Sequence, residues 1–297
     1  MRVKLSVDMS AISHCGKVRN NNEDMVYAGG HYFDNSELSH YYKDESQKGR
    51  LLIYAVCDGM GGENAGEKAS YEAVRLLDEY FKAIGSIKIK NINQLIERFR
   101  IYIKQTNEKI YSLWADSGEG RMGSTFAGLA FCGNKATALN IGDSRVYMLR
   151  GDILTQLTKD HTEAERLASI GLIKRDEIRA HKGHHMLTRH FGTTPEEGIM
   201  EADFSKIVKL KKGDVFMICS DGLTDMVGDD RIRQLMKRKG KSSEISRLLV
   251  DEALNNGGKD NVSVIVVKVG TTINRIRRLI RFNKSKTNKI SYEKNAQ

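Results

Sequence analysis

The stretch "LLIYAVCDGMGGENAGEKAS", residues 51–70, drives apolar β-formers into Asp58 and then places glycine at four of the next eight positions. An Asp-Gly pair makes a good tight turn on its own. Glycines beside a strand also mark places where another backbone or a ligand comes close. On that second reading Asp58 ends its strand at the mouth of a sheet. The choice between the two rests on the remainder of the chain.

Apolar runs of strand length recur at 125–132, 135–141, 145–149, 215–219 and 262–269. Amphipathic spacing predicts long helices over 66–84 and 93–114, and shorter ones over 229–238 and 243–254, the last closed by "NNGG". The "TEAE" at Thr162 is a capping-box pattern that predicts another helix start. Helices come in consecutive pairs and do not alternate singly with strands. That order disfavours a doubly wound parallel sheet and favours antiparallel sheets with paired helices packed outside. The polar stretch 29–50 reads as a long hairpin loop, and 162–194, lacking strand signals, as an excursion over the surface.

A chain of 297 residues has room for a real core in one large domain or two small ones. Its opening, "MRVKLSVDMSAIS", lacks the apolar core of a signal peptide. The longest apolar runs, such as "VSVIVV" at 262–267, fall far short of the roughly 20 residues a membrane helix needs. A cytosolic, cytoplasmic protein is expected. Cys15, Cys57, Cys132 and Cys219 form no C-x-x-C pair, so reduced and mostly buried thiols are expected and no zinc or redox motif. The net charge of +10 is concentrated at the end, where eight Lys/Arg face one Glu within 271–297 and leave a nearly neutral domain before them. No nucleic-acid-binding signature accompanies that tail, so no nucleic-acid partner is expected. Within "TTINRIRRLIRF", Ile273, Ile276, Leu279 and Ile280 share one helical side, with Arg277, Arg278 and Arg281 opposite. Such a helix suits an anionic membrane surface or an acidic partner, or packs on its own domain.

Several acids repeat the context of Asp58. Asp221 follows "VFMICS", Asp143 sits in the turn "NIGDSR", and Asp260 immediately precedes the final apolar run. Near the start, "VRNNNED" sets Glu23 and Asp24 beside Arg19. Each junction alone is a common turn. Together, carboxylates converging at a sheet rim repel one another unless a cation neutralises them. An all-oxygen set points to a hard cation such as magnesium or manganese. Glycine after Asp58 lets a backbone carbonyl approach as a further ligand, and Arg19 offers a planar fork for phosphate. Divalent ions with a phosphate-gripping arginine are the tools of a phosphoryl hydrolase.

The ordered set "VRNNNED", "CDGMGGENAGEKAS", "GSTFAG", "NIGDSR", "LTKDHT", "LTRHFGT", "CSDGLTD" and "GGKDNVSVIVV" resembles the metal-dependent serine/threonine protein phosphatases of the protein phosphatase 2C type, in their bacterial form, from about Gly16 to Val269. The resemblance implies an α+β, four-layer α-β-β-α sandwich: two central antiparallel sheets flanked by paired helices, with the metal centre in a cleft at one end. It makes residues 1–270 the phosphatase domain and 271–297 a basic tail. It assigns Asp58 to bridge two Mn2+ or Mg2+ ions, with the Gly59 carbonyl on one and Asp221 and Asp260 on the other. Glu23 and Asp24 hold metal-bound waters, Arg19 binds the substrate phosphate, and Asp143, Asp221 and Asp225 match a weaker third site. The stretch after Thr162 stands where the family has a mobile flap.

Two positions depart from the pattern. Met60 stands where many eukaryotic relatives carry a histidine general acid, and Glu63 where many bacterial ones carry a histidine. A metal-bound water is then the proton source for the leaving group. The flap's "HKGHH" has no matching ligand spacing and reads as a solvated loop. "GSTFAG" shapes the start of a strand, Asp160-His161 organises the loop before the Thr162 helix, and Ser144-Arg145 serves the turn. The function implied is hydrolysis of phosphoserine and phosphothreonine in phosphoproteins, substrates of a bacterial serine/threonine kinase, by a metal-activated bridging water and a monomeric enzyme. The competing reading is a pseudophosphatase that binds phosphoproteins without turnover, whose usual mark is loss of a core acid.

Overall fold

A computed structural model of the chain describes residues 5–32, 40–62, 65–84, 89–117 and 120–270. It begins with strands β1 (Leu5–His14), β2 (Asp24–Ala28), β3 (His40–Gly49) and β4 (Leu51–Gly61), followed by helices α1 (Ala65–Ile84) and α2 (Ile92–Ser117). Strands β5 (Met122–Ser124), β6 (Phe126–Cys132), β7 (Lys135–Ile141), β8 (Arg145–Arg150) and β9 (Ile153–Gln156) come next, then helix α3 (Glu163–Ser169). The chain closes with β10 (Asp203–Phe204), β11 (Val208–Lys209), β12 (Val215–Cys219), helices α4 (Asp221–Thr224), α5 (Asp229–Met236) and α6 (Ser242–Asn255), and β13 (Val262–Val269).

One sheet has the order β3-β1-β13-β12-β8-β9, and the other β10-β7-β6-β4-β2, with β11 also paired to β7 and β5 to β4. Three apolar layers hold them. Between the sheets, Met9, Tyr54, Phe131, Phe216, Ile265 and Val267 are fully or nearly fully buried. Edge-on ring pairs Tyr54–Phe131 (5.9 Å) and Phe131–Phe216 (5.4 Å) cross that layer, each contributing about 0.5–1.5 kcal/mol beyond its area. Outside the second sheet, Ile53, Ala55 and Cys57 pack against Leu77, Phe99 and Tyr102 of α1 and α2. Outside the first, Met217, Val264 and Val266 pack against Ile232, Leu235 and Leu249 of α5 and α6. The expected four-layer α-β-β-α sandwich is present.

Both faces of β4, β12 and β13 are covered, which is why these strands read as unbroken apolar runs and not as alternation. Along β4 the faces still alternate: Ile53, Ala55 and Cys57 face the helices, Tyr54 and Val56 the other sheet. The next step of two puts Asp58 into the space between the sheets, at the open end of the sandwich.

Three expectations need correction. Asp58 does not end its strand: β4 continues to Gly61, with Gly59–Gly61 paired to Met122–Ser124. The stretch 29–50 is not all loop, because β3 pairs with β1 from Leu5↔Gly49 to His14↔His40. It is a polar strand at a sheet edge, where solvent tolerates charge. Strands β1 and β2 were also not anticipated. In β1, Leu5, Val7, Met9 and Ala11 enter the inter-sheet core at period two, alternating with Ser6, Asp8 and Ser10, a pattern that a reading for unbroken apolar runs passes over. The predicted helices are present within one to three residues at each end, and the Thr162 hydroxyl caps α3 by accepting from the Glu165 N–H at 3.3 Å. Glu63 and the tail 271–297, with its expected amphipathic helix, lie outside the described residues.

Gly59 is the point where helix α1 seats on the strand. A Cβ there would lie 2.0 Å from the carbonyl oxygen of Gly66. Gly59→Ala should therefore lower unfolding stability by roughly 1–3 kcal/mol in urea titrations. Gly62→Ala, whose Cβ would meet nothing within 4 Å, should change it by less than about 0.5 kcal/mol. Equal effects would show that the helix does not depend on that approach.

Candidate metal centre

Antiparallel topology brings the carboxylates to one end. Asp24 opens β2 and pairs in register with Asp58 on β4. The turn holding Asp143 crosses from β7 of one sheet to β8 of the other, while Asp221 follows β12 and Asp260 precedes β13. Arg19, Glu23, Asp58, Asp143, Asp221 and Asp260 line one cleft of about 580 Å³, together with Gly59, Asp225 and Met60. Asp24 lies buried behind it.

The backbone around each acid is held from a distant segment. The Asp58 N–H donates to the Thr125 hydroxyl at 2.9 Å, and its carbonyl accepts from the Thr125 N–H at 2.8 Å and the Ser124 hydroxyl at 3.1 Å. Thr125 shares a 2.7 Å hydrogen bond with Ser144, the neighbour of Asp143. "GSTFAG" and Ser144 thus clamp the centre, a role beyond the local shaping expected of them. Asn261 ties three segments: its Oδ1 accepts from the Glu23 N–H at 2.8 Å, and its Nδ2 donates to the carbonyls of Cys15 (3.0 Å) and Asn21 (2.8 Å). Gly222 lets α4 sit on it, since a Cβ there would fall 2.0 Å from the Asn261 carbonyl oxygen. The Asp-Asn pair in "GGKDNV" was the only sequence trace of this residue.

His161 does the same for Asp143. Its Nδ1 accepts from the Gly142 N–H at 3.1 Å, so Nε2 carries the proton and faces Asp203 at 3.1 Å. Burial pushes its pKa down, which keeps the ring neutral in that arrangement. Asp160 takes another role, a buried multidentate pair with Arg145 (2.6–3.0 Å). Arg19 donates to Asp260 at 2.7 Å, with about half its side chain exposed to the cleft.

Charge is badly compensated within this ring. Burial, then Asp24, Asp221, Asp143 and Asp260, hold the Asp58 carboxyl well above its ordinary range. Burial and Asp221 do the same to Asp143, and burial followed by Asp221 raises Asp225. Burial raises Glu23 as well, against a hydrogen bond from Asn21. Burial lifts Asp24 to about 7 although Ser220 and Ser263 oppose it. One Asp24 oxygen accepts from the Ser220 hydroxyl at 2.7 Å, while the other is buried with no hydrogen-bond partner. An oxygen-only ring with an orphaned buried carboxylate oxygen and mutual repulsion has the donor chemistry of a hard divalent cation. The residues fit Mn2+ or Mg2+.

The flap departs in part from expectation. His184 is mostly buried while His185 stays exposed to solvent as expected, and both rings face acids of the cleft. His184 Nε2 lies 3.4 Å from Asp225 Oδ1, and His185 places Nδ1 3.6 Å from Asp221 Oδ2 and Nε2 3.5 Å from Asp225 Oδ2. The Asp221 hydrogen bond first, and then the Asp225 charge, push His185 up to about 9 against burial. Arg179, from the same flap, donates to the Asp225 carbonyl.

Three comparisons bear on this geometry. The family model for Protein phosphatase 2C matches residues 14–262. Protein phosphatase PhpP of Streptococcus pneumoniae is 32% identical over 263 residues, which is 89% of this chain and 98% of that protein. The crystal structure of the Mycobacterium tuberculosis serine/threonine phosphatase PstP/Ppp is 30% identical with a TM-score of 0.74, covering 90% of this chain and 100% of that one. The catalytic domain of PstP in complex with two manganese ions is similar to the same extent, at 30% identity, a TM-score of 0.72, and 90% and 100% coverage.

The raised carboxyls fix a sign for pH. Asp24 moves from its ordinary 3.8 to about 7, so between those values the folded chain keeps a proton that the unfolded chain has released. Stability of the metal-free protein must then fall as pH rises through that window. Melting temperature in chelator should be lower at about pH 7 than at about pH 5, and added Mn2+ should raise it more at the higher pH, where protons compete less. A metal-free melting temperature that rises over that interval would contradict the arrangement.

Proposed function

This chain belongs to the protein phosphatase 2C family, and we propose that the carboxylate ring is the dinuclear metal centre through which it acts as a metal-dependent serine/threonine protein phosphatase. The observation that carries the proposal is the convergence on Asp58, opposite Asp24 in register and within the field of Asp143, Asp221 and Asp260 from the other segments. Asp58 would be shared by two Mn2+ or Mg2+ ions, with the Gly59 carbonyl on one and Asp221 and Asp260 on the other. Glu23 and Asp24 would hold waters of that centre, and Asp143, Asp221 and Asp225 a weaker third ion. When bound, such cations lower the pKa of water toward neutrality and offset charge on the transferring phosphoryl group.

The chain's own residues do the positioning. Arg19, half-exposed at the cleft and anchored on Asp260 by one guanidinium nitrogen, turns its remaining donors to the substrate phosphate. That grip is made in the ground state and tightens in the transition state, as charge redistributes over the phosphoryl oxygens. Met60 lines the cleft and brings no exchangeable proton, so the leaving serine or threonine oxygen takes its proton from water. The substrates are phosphoproteins made by a serine/threonine kinase, and the enzyme acts as a monomer. Four free cysteines, three of them buried, suit a reducing cytoplasm. No described helix is long and apolar enough to cross a membrane. The basic tail 271–297 is proposed as a contact for an anionic membrane surface or an acidic partner.

Turnover of a small phosphate ester with Mn2+ tests the assignment. Asp58→Asn should lower kcat by roughly a thousandfold with the fold intact. Arg19→Ala should raise KM and lower kcat, for roughly a 10- to 100-fold loss in kcat/KM. Wild-type chain without Mn2+-dependent turnover would favour the binding-only reading, and Asp58→Asn within about tenfold of wild type would remove Asp58 from the centre.

A further inference from the structure

The flap places two imidazoles against the segment that carries the centre's outermost acid. His184 Nε2 is 3.4 Å from Asp225 Oδ1, and His185 Nε2 is 3.5 Å from Asp225 Oδ2. The ligating atoms of His184, His185 and Asp225 all lie within 4.8 Å of one another. Bonds of 2.0–2.1 Å to a tetrahedral ion put neighbouring ligand atoms about 3.3 Å apart, and each imidazole nitrogen lies near that distance from its own oxygen of Asp225. The two rings stand with centroids 4.7 Å apart, side by side on one stretch of flap.

We propose that His184, His185 and Asp225 form a separate cation site, built of two imidazole nitrogens and a carboxylate, that takes a borderline transition ion such as Zn2+ and staples the flap over the cleft. The donor set differs in kind from the all-oxygen ring. Imidazole nitrogen suits zinc, cobalt or nickel and is a poor ligand for magnesium. His184 is mostly buried, and its Nδ1 has no partner, so Nε2 is the nitrogen it presents. His185 has an outer partner, since its Nδ1 faces Asp221 Oδ2 at 3.6 Å. A metal binding at Nε2 displaces the proton there to solvent, while the carboxylate facing Nδ1 keeps the other proton and fixes the tautomer. Arg179 donates to the carbonyl of the same Asp225, so the flap already approaches this turn through a second contact.

The consequence is regulation by a second kind of metal. An ion held by His184 and His185 on the flap and by Asp225 at the end of α4 ties the flap to the body of the domain. Occupancy would then restrict entry of a bulky phosphoprotein more than entry of a small ester. The site shares Asp225 with the weaker third ion proposed above and has Asp221 of that centre behind His185, so it rests partly on that reading. It does not use Asp58 or Asp260, and that separates the two experimentally.

The test uses the full chain in excess Mg2+, which fills oxygen sites, with Co2+ as a coloured probe. Wild type should bind one Co2+ with the visible spectrum of a nitrogen-bearing tetrahedral site. The double variant His184→Ala/His185→Ala should lose that site, with affinity falling on the order of 100-fold or more. Asp58→Asn should keep it. Zn2+ should slow tryptic cleavage after Arg179 and Lys182 in the wild type by about tenfold and leave the double variant unprotected. Undiminished Co2+ binding by the double variant, loss of the site in Asp58→Asn, or absence of flap protection would each overturn the proposal. Asp58→Asn that keeps full Mn2+ turnover would count against the dinuclear reading and leave the flap site standing.

Discussion

The repulsion between Asp24 and Asp58 is the constraint around which this molecule is arranged. They oppose each other in register on adjacent strands, and Asp221, Asp143 and Asp260 add their fields from the other sheet and its connections. Like charges directly opposite on a ladder are destabilising, and burial adds the cost of desolvation. Among the described residues the chain contributes Arg19 on Asp260 and the His185 imidazole near Asp221, too little positive charge to offset the ring. On the proposed reading divalent ions answer that deficit, and the same excess of negative charge that costs stability would supply affinity for them.

A ring under such strain has to be held by the scaffold. The three apolar layers lock the sheets, and period-two alternation along β4 aims Asp58 between them. Neutral polar residues then fix each acid's backbone without spending its carboxylate: Thr125 holds Asp58, Asn261 holds the segment of Glu23, and His161 holds the Gly142–Asp143 turn. Gly59 lets α1 close onto β4, and Gly222 lets α4 close onto Asn261 just before β13. The helices that cap the cleft are thereby set against the acids and not merely beside them. The glycines after Asp58 serve this approach at least as much as they clear space for ions.

Much of this was legible in the chain and some was not, for reasons that particular residues make plain. Doubly buried strands such as Val262–Val269 announce themselves as apolar runs, and α1 and α2 as amphipathic ones. Strand β1 alternates Leu5, Val7, Met9 and Ala11 with Ser6, Asp8 and Ser10, a period-two signal that a reading for unbroken apolar runs passes over, while β3 hid because an edge strand carries charge. The acids of the centre stood out through their shared strand-to-turn context. The roles of Thr125, Asn261 and His161 did not, because each acts through a hydrogen bond to backbone far away in sequence, from 19 residues for His161 to 246 for Asn261. The contacts of the flap histidines were missed for a related reason. Their partners at Asp221 and Asp225 are some forty residues downstream, and no local spacing rule connects them.

The central claim is that the carboxylate ring exists to be neutralised by metal. Calorimetric titration of Mn2+ into the metal-free chain at about pH 7, repeated in buffers of different ionisation enthalpy, measures this directly. Two tight equivalents with release of protons from the buried acids are predicted, and both should be lost in Asp58→Asn. Binding without proton release, or binding that survives Asp58→Asn undiminished, would contradict it.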